Sequence, residues 1–129
     1  MRALALDYGA ARTGVAVSDA SGTLARPVGV VRRAASESGL TEIARLVDEH
    51  EAEIVVVGLP LTLRGEHGKQ AAETAAFVEE LRALLTVPVE TADERFTTAL
   101  AQRFGGSAPE DAVAAAHLLQ GWLDRRARA

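Results

Sequence analysis

Asp7-Tyr8-Gly9-Ala10-Ala11-Arg12-Thr13-Gly14-Val15-Ala16-Val17-Ser18-Asp19 follows directly on the apolar run Ala3-Leu4-Ala5-Leu6. An apolar run that ends in a carboxylate, a glycine-bounded turn and a second apolar run from Gly14 together read as a β-hairpin. Gly9 and Gly14 permit the tight backbone there. Asp7 is thereby presented at the end of a buried strand, where a carboxylate is costly to desolvate unless something neutralises it. A cation is one candidate. The other reading of these residues alone is that Asp7 caps a turn and Gly9 merely bends the chain.

Around this hairpin the chain has 129 residues, enough for one three-layer core and too few for two, so a single domain over 1–129 is expected. Of its 48% hydrophobic residues, 26 are alanines, which predicts closely approached helices and strands rather than a bulky aromatic core. No stretch approaches the length of a membrane span, and Met1-Arg2 leads into a short strand rather than a signal sequence. A soluble cytoplasmic protein is expected, and the lack of cysteine fits that compartment and excludes a disulfide framework and a thiolate metal site. The net charge of −4 argues against general, charge-driven nucleic-acid binding, so any polyanion must be held locally. Thirteen of the 14 basic residues are arginine, which suits a few bidentate phosphate contacts, although a high-GC genome would also choose it.

After the hairpin, Gly22 marks a turn and Ala25 to Arg32 reads as a third strand, with Pro27 pointing to an edge or a strand start. Ser36-Glu37-Ser38-Gly39 opens a crossover helix with Leu40, Ile43, Ala44, Val47 and His50 toward one face. Glu53 to Gly58, with Ile54-Val55-Val56-Val57 uninterrupted, reads as a parallel strand covered on both sides. A glycine-containing loop over 62–68 then leads to a helix from Lys69 to Leu85, expected to bury Ala72, Ala75, Val78, Leu81 and Leu85. Val87 to Thr91 is a short strand ending in Asp93-Glu94-Arg95, and Thr97 and Thr98 cap a helix toward Phe104. Gly105 to Pro109 breaks it, and a last helix from Glu110-Asp111 to about Arg126 presents Leu118, Leu119, Trp122 and Leu123 to the core, with the tail from Arg125 frayed. The fold class is α/β: a five-stranded mixed sheet, antiparallel over its first three strands and parallel afterwards, with helices on both faces.

Three acidic points stand out in that order: Asp7, Asp93-Glu94 and Asp111. With the first strand central, all three can converge on one edge of the sheet. Gathered carboxylates repel one another unless some protonate or a divalent cation joins them. Mg²⁺ takes oxygen ligands, and a pair of such ions can activate water and stabilise the leaving oxygen of a phosphodiester. Taken singly, Asp93 or Glu94 also reads as a solvated turn and Asp111 as a helix N-terminal charge.

Asp-Tyr-Gly-x-x-Arg-x-Gly-Val-Ala-Val-Ser-Asp at 7–19, Ala-Arg-Pro at 25–27, Val-Gly-Leu-Pro-Leu at 57–61, Asp-Glu-Arg-Phe-Thr-Thr at 93–98 and Asp-Ala-Val-Ala-Ala at 111–115 together resemble the YqgF/RuvX family. The blocks keep the family order and span nearly the whole chain. The resemblance implies a ribonuclease H-like three-layer fold, kinship with Holliday-junction resolvases and a role in maturing the 5′ end of pre-16S rRNA. It implies a metal-dependent nuclease using Mg²⁺ or Mn²⁺, with Asp7, Glu94 and Asp111 as catalytic and metal-binding positions and Asp93 ranked second. Arg12 and Arg95 match positions beside those acids and are assigned to phosphate contact or structural pairing; for Arg95 an ion pair with Asp93 or Asp19 is the alternative. The implied partners are nucleic acid, pre-rRNA first and structured or branched DNA second, with ribosome-assembly or transcription proteins beside them.

One departure bears on binding. Relatives often carry a Lys-rich segment before the last acidic motif, where this chain has Gly105-Gly106-Ser107-Ala108-Pro109-Glu110. That weakens the expectation of tight nucleic-acid binding by the protein alone, and of a branched-DNA activity in particular. Two other readings stand beside the nuclease. The Asp-x-Gly-x-x-x-x-Gly turn also resembles the phosphate-binding hairpin of actin-like ATPases and sugar kinases, which need two such domains. A non-catalytic domain that binds RNA, ribosome-assembly or transcription partners is the third. His50 and His117 read as structural or surface residues, and His67 lies in the glycine loop near the expected active edge.

Overall fold

A computed structural model describes residues 1–59, 69–93 and 109–128 of the chain. The opening apolar run forms β1 (Ala3–Asp7), paired antiparallel with β2 (Arg12–Ser18) so that Asp7 lies opposite Gly14. There follow β3 (Ala25–Arg32), α1 (Glu37–Glu49), β4 (Ile54–Leu59), α2 (Lys69–Leu84), β5 (Val89–Asp93) and α3 (Glu110–Arg128). The strand order is β3-β2-β1-β4-β5. β1 is therefore central, antiparallel to β2 on one side and parallel to β4 on the other, and β4 pairs parallel with β5. β3, which holds Pro27, is an edge strand, where the missing N–H of proline is tolerated.

The two-residue period of β1 divides the core. Leu4 and Leu6 point to one face, where they join Val15, Val17, Ile43, Leu46, Val47, Phe77, Val78 and Leu81 beneath α1 and α2. Ala3 and Ala5 point to the other, where with Ala16, Ile54 and Val56 they meet Ala115, Ala116, Leu118, Leu119 and Leu123 of α3. Alanine facing alanine lets α3 lie close on the sheet, so the alanine-rich composition is concentrated in one layer of the sandwich. Ser36 caps α1 by accepting the Gly39 N–H at 3.1 Å, and His50 is the C-cap, as a helix-end residue should be.

Several expectations need correction. In α2 the buried face is Ala71, Thr74, Phe77, Val78 and Leu81, whereas Ala72 and Ala75 are exposed. Phe77 sets the phase of this helix by stacking on Tyr8, ring centroids 4.5 Å apart, and the buried Thr74 hydroxyl donates to Gln70 O at 2.8 Å. Leu85 falls just past the helix and is half-buried, and β5 starts at Val89, after Pro88. In α1, Gly39 and Leu46 are buried, while Leu40 and Ala44 are half-buried. The arginine-rich tail is helical to Arg128, because Arg125, Arg126 and Arg128 oppose the negative end of the helix dipole and Arg126 sits over the Trp122 ring at 5.0 Å. The expected loop over 62–68, with His67, and the expected helix from Thr97 toward Phe104 lie outside the described residues.

Gln120 ties α3 to the start of β3. Only 2% exposed, it accepts the Ala25 N–H at 2.9 Å and donates to Thr23 O and Asp124 Oδ1. Gln120→Leu keeps the volume and strands a buried N–H, so a loss of about 2 kcal/mol is expected in urea denaturation.

Asp19 closes the turn beyond β2. Its carboxylate accepts the N–H groups of Thr23 and Leu24 and the hydroxyls of Ser21 and Thr23, and Gly22 takes the left-handed φ of +74°. The backbone donors of Thr23 and Leu24 hold this carboxyl at about 2, below its ordinary 3.8. A depressed folded-state pKa contributes stability that is present above the ordinary value and lost as pH falls through the folded one. Asp19→Asn is therefore expected to lower Tm above pH 3.8, with the gap to the parent closing as pH falls toward about 2. A gap constant across that window would overturn this assignment.

Among the described residues no helix is long and apolar enough to cross a membrane.

Candidate active site

The parallel pairing brings the C-terminal ends of β1, β4 and β5 to one edge of the sheet, carrying Asp7, Leu59 and Asp93. Asp7 shares the face of Ala3 and Ala5, the α3 face, by the alternation of β1. Its side chain is half-buried, accepts no hydrogen bond and joins no ion pair among the described residues. Tyr8 turns to the opposite face and stacks on Phe77, so it belongs to the core rather than to this edge.

The first turn of α3 arrives at the same place. A Cβ built on Gly14, the residue opposite Asp7, would collide with the backbone carbonyl of Asp111 and come within 2.9 Å of Ala112 N. Gly14 is thus the seat on which the N-terminus of α3 rests. Neither Gly9 nor Gly14 has a positive φ; the tight backbone expected at the turn is present at Gly9, and the expectation is corrected at Gly14 alone. Gly14 supplies space for a helix, and at Gly9 a Cβ would lie 2.5 Å from Arg12 O.

Arg12, two residues before Gly14, alternates onto the same face. Its Nε lies 2.9 Å from Asp111 Oδ2, with side-chain exposures of 51% and 40%. The structural pairing considered for Arg12 is therefore present, and its partner is one of the acids assigned to the metal. Asp93 ends β5 and lines a cavity of about 190 Å³ with Thr91, Ala92, Leu118, Trp122 and Arg125. Asp7, Asp111 and Arg12 are thus gathered around Gly14, whereas Glu94 and Arg95 lie outside the described residues. His117 is half-buried on α3, and His50 lies at the far end of α1. The role of Gly14 was missed from the sequence; the available signal was a glycine inside a buried strand, which often marks close backbone approach.

Two hard carboxylates, one without a donor among the described residues, suit a hard divalent cation better than a soft metal or an organic cofactor. Among the described residues no group of three or more His, Asp or Glu side chains is gathered closely enough to hold an ion. The described donor set, Asp7 and Asp111, thus fits part of such a site.

This sheet order, with a carboxylate at the end of the central strand, defines a ribonuclease H-like fold of the resolvase kind. The Thermus thermophilus RuvC structure superposes with a TM-score of 0.69 over 99% of this chain and 97% of that one, at 15% identity. A Fowlpox virus resolvase solved with Holliday junction DNA superposes with a TM-score of 0.61 at 10% identity, over 98% of this chain and 99% of that one. At these identities the likeness is one of fold. The family model described as "RuvX: Holliday junction resolvase" matches residues 1–125, and the chain belongs to the RuvX family. A relative from Chloroflexus aggregans, named "Putative pre-16S rRNA nuclease", is 46% identical over 95% of this chain and 93% of its own length. A relative of the same name from Anaeromyxobacter is 46% identical over 98% of both chains. Membership places the chain among the nucleases, hydrolases that act on ester bonds.

Proposed function

We propose that this chain is a single-domain, cytoplasmic, divalent-metal-dependent nuclease that hydrolyses phosphodiester bonds at the 5′ end of the 16S rRNA precursor. The observation that carries the metal-dependent part is Asp7, a half-buried carboxylate without a donor among the described residues, held across from the Gly14 seat of Asp111. The choice of substrate is supported by the names of relatives that match this chain nearly end to end. Asp7 and Asp111 are assigned as ligands, with Glu94 as the third. Arg12 and Arg95 are assigned to the phosphates, where a guanidinium makes bidentate contacts. A divalent ion bound there supplies Lewis-acid stabilisation of the scissile phosphate and a water activated for attack. The surrounding fold holds the two carboxylates in place: β1 is paired on both sides within the sheet, and Asp111 is carried on a helix packed alanine to alanine.

The test is cleavage by the purified chain of a 5′-extended 16S precursor and of a four-way DNA junction, with Mn²⁺ or Mg²⁺ and with chelator. Metal-dependent cutting of the RNA in preference to the junction is the expected outcome. Preferential cutting of the junction would replace the substrate. Absence of cutting together with co-sedimentation with small-subunit precursors would replace the enzyme by a binding domain, the reading that the net charge of −4 favours.

A further inference from the structure

We propose that Arg12 is a resident counter-ion of Asp111 that a divalent cation displaces, and that the freed guanidinium then meets the anionic backbone of the substrate. This rests on the reading of Asp7 and Asp111 as cation ligands. The two carboxylates are unequally provided for. Asp111 is balanced by Arg12 at 2.9 Å, whereas Asp7, opposite Gly14, has no donor among the described residues. A cation drawn to Asp7 and sharing Asp111 stands close to a fixed positive charge, and like charges at that range repel.

The pair is able to exchange. Both side chains are substantially exposed, and ion pairs of that kind are weak and screened by salt. Among the described residues Arg12 makes no other ion pair and no side-chain hydrogen bond, so its Nη groups are available to a second anion. Arginine at this position suits both states: one nitrogen suffices for a carboxylate, and the planar fork matches a phosphate. Arg12 thus keeps Asp111 compensated while no cation is present and joins substrate recognition when one arrives.

The test is Mn²⁺ binding to the whole chain at low ionic strength without nucleic acid, followed by calorimetry and by the electron paramagnetic resonance of free Mn²⁺. Arg12→Gln is expected to tighten Mn²⁺ about fivefold, the scale of an exposed ion pair. The same variant is expected to weaken binding of a precursor-rRNA fragment, measured in Ca²⁺, about tenfold. Arg12→Lys, which keeps a charge but not the fork, should restore Mn²⁺ affinity to the parental level and recover only part of the RNA affinity. Unchanged or weaker Mn²⁺ binding by Arg12→Gln, with Asp111→Asn still abolishing it, would overturn the displacement and leave the ligand reading intact. Mn²⁺ binding that neither Asp7→Asn nor Asp111→Asn alters, or none by the parent chain, would remove the ligand reading and the displacement with it.

Discussion

Asp7→Asn is expected to reduce metal-dependent cleavage by about a thousandfold or more while leaving the melting temperature unchanged. The first effect follows from removing one ligand oxygen's charge from a site whose chemistry depends on stabilising negative charge. A loss of about 4 kcal/mol of transition-state stabilisation corresponds to that factor. The second follows from the surroundings of Asp7. Its half-buried carboxylate accepts no hydrogen bond among the described residues, so the isosteric amide removes no structural contact described for it. Thermal melts and cleavage assays on one preparation separate the two effects. Full activity in the variant would remove the active site proposed for this chain, and a large loss of stability would show that Asp7 has a structural partner.

Gly14→Ala is the second large effect, and it acts through shape. The added methyl meets backbone atoms of Asp111 and Ala112, which no side-chain rotation can move aside, so the first turn of α3 must lift from the sheet. Overpacking of this kind costs about 3 kcal/mol, or roughly 10 °C in Tm for a chain of this size. Cleavage should fall even at temperatures where the variant is fully folded, because Asp111 travels with the helix. Gly29→Ala is the control, since a Cβ there meets nothing within 4 Å and is expected to change stability by no more than about 0.5 kcal/mol. Equal behaviour of the two variants would show that the contact at Gly14 carries no such weight.

The strands were legible because their signal is local. The apolar run 3–6 and the uninterrupted valines of β4 announce strands covered on both sides, and Pro27 announces an edge. The place of Asp7 at the end of the central strand followed from that. The phase of α2 was not legible, because alanines at 71, 72, 75 and 76 make every face equally acceptable until Phe77 finds Tyr8. Gly14 was misread for a related reason. A glycine beside a turn suggests turn geometry, and the helix that requires its bare α-carbon comes from the far end of the chain. The Arg12–Asp111 pair is likewise a contact between distant segments, so the motif could suggest that Arg12 has an anionic partner but not which one.

The alanine layer between α3 and the sheet has a practical consequence for engineering. Ala3, Ala5 and Ala16 on one side and Ala112, Ala115 and Ala116 on the other fix how far the helix stands off, and that helix carries Asp111. A gap-filling substitution chosen to harden this layer against heat would move a reactive carboxylate along with the backbone. Thermostabilising libraries aimed at the opposite layer, around Ile43, Phe77 and Leu81, can be explored with the reactive edge left in place.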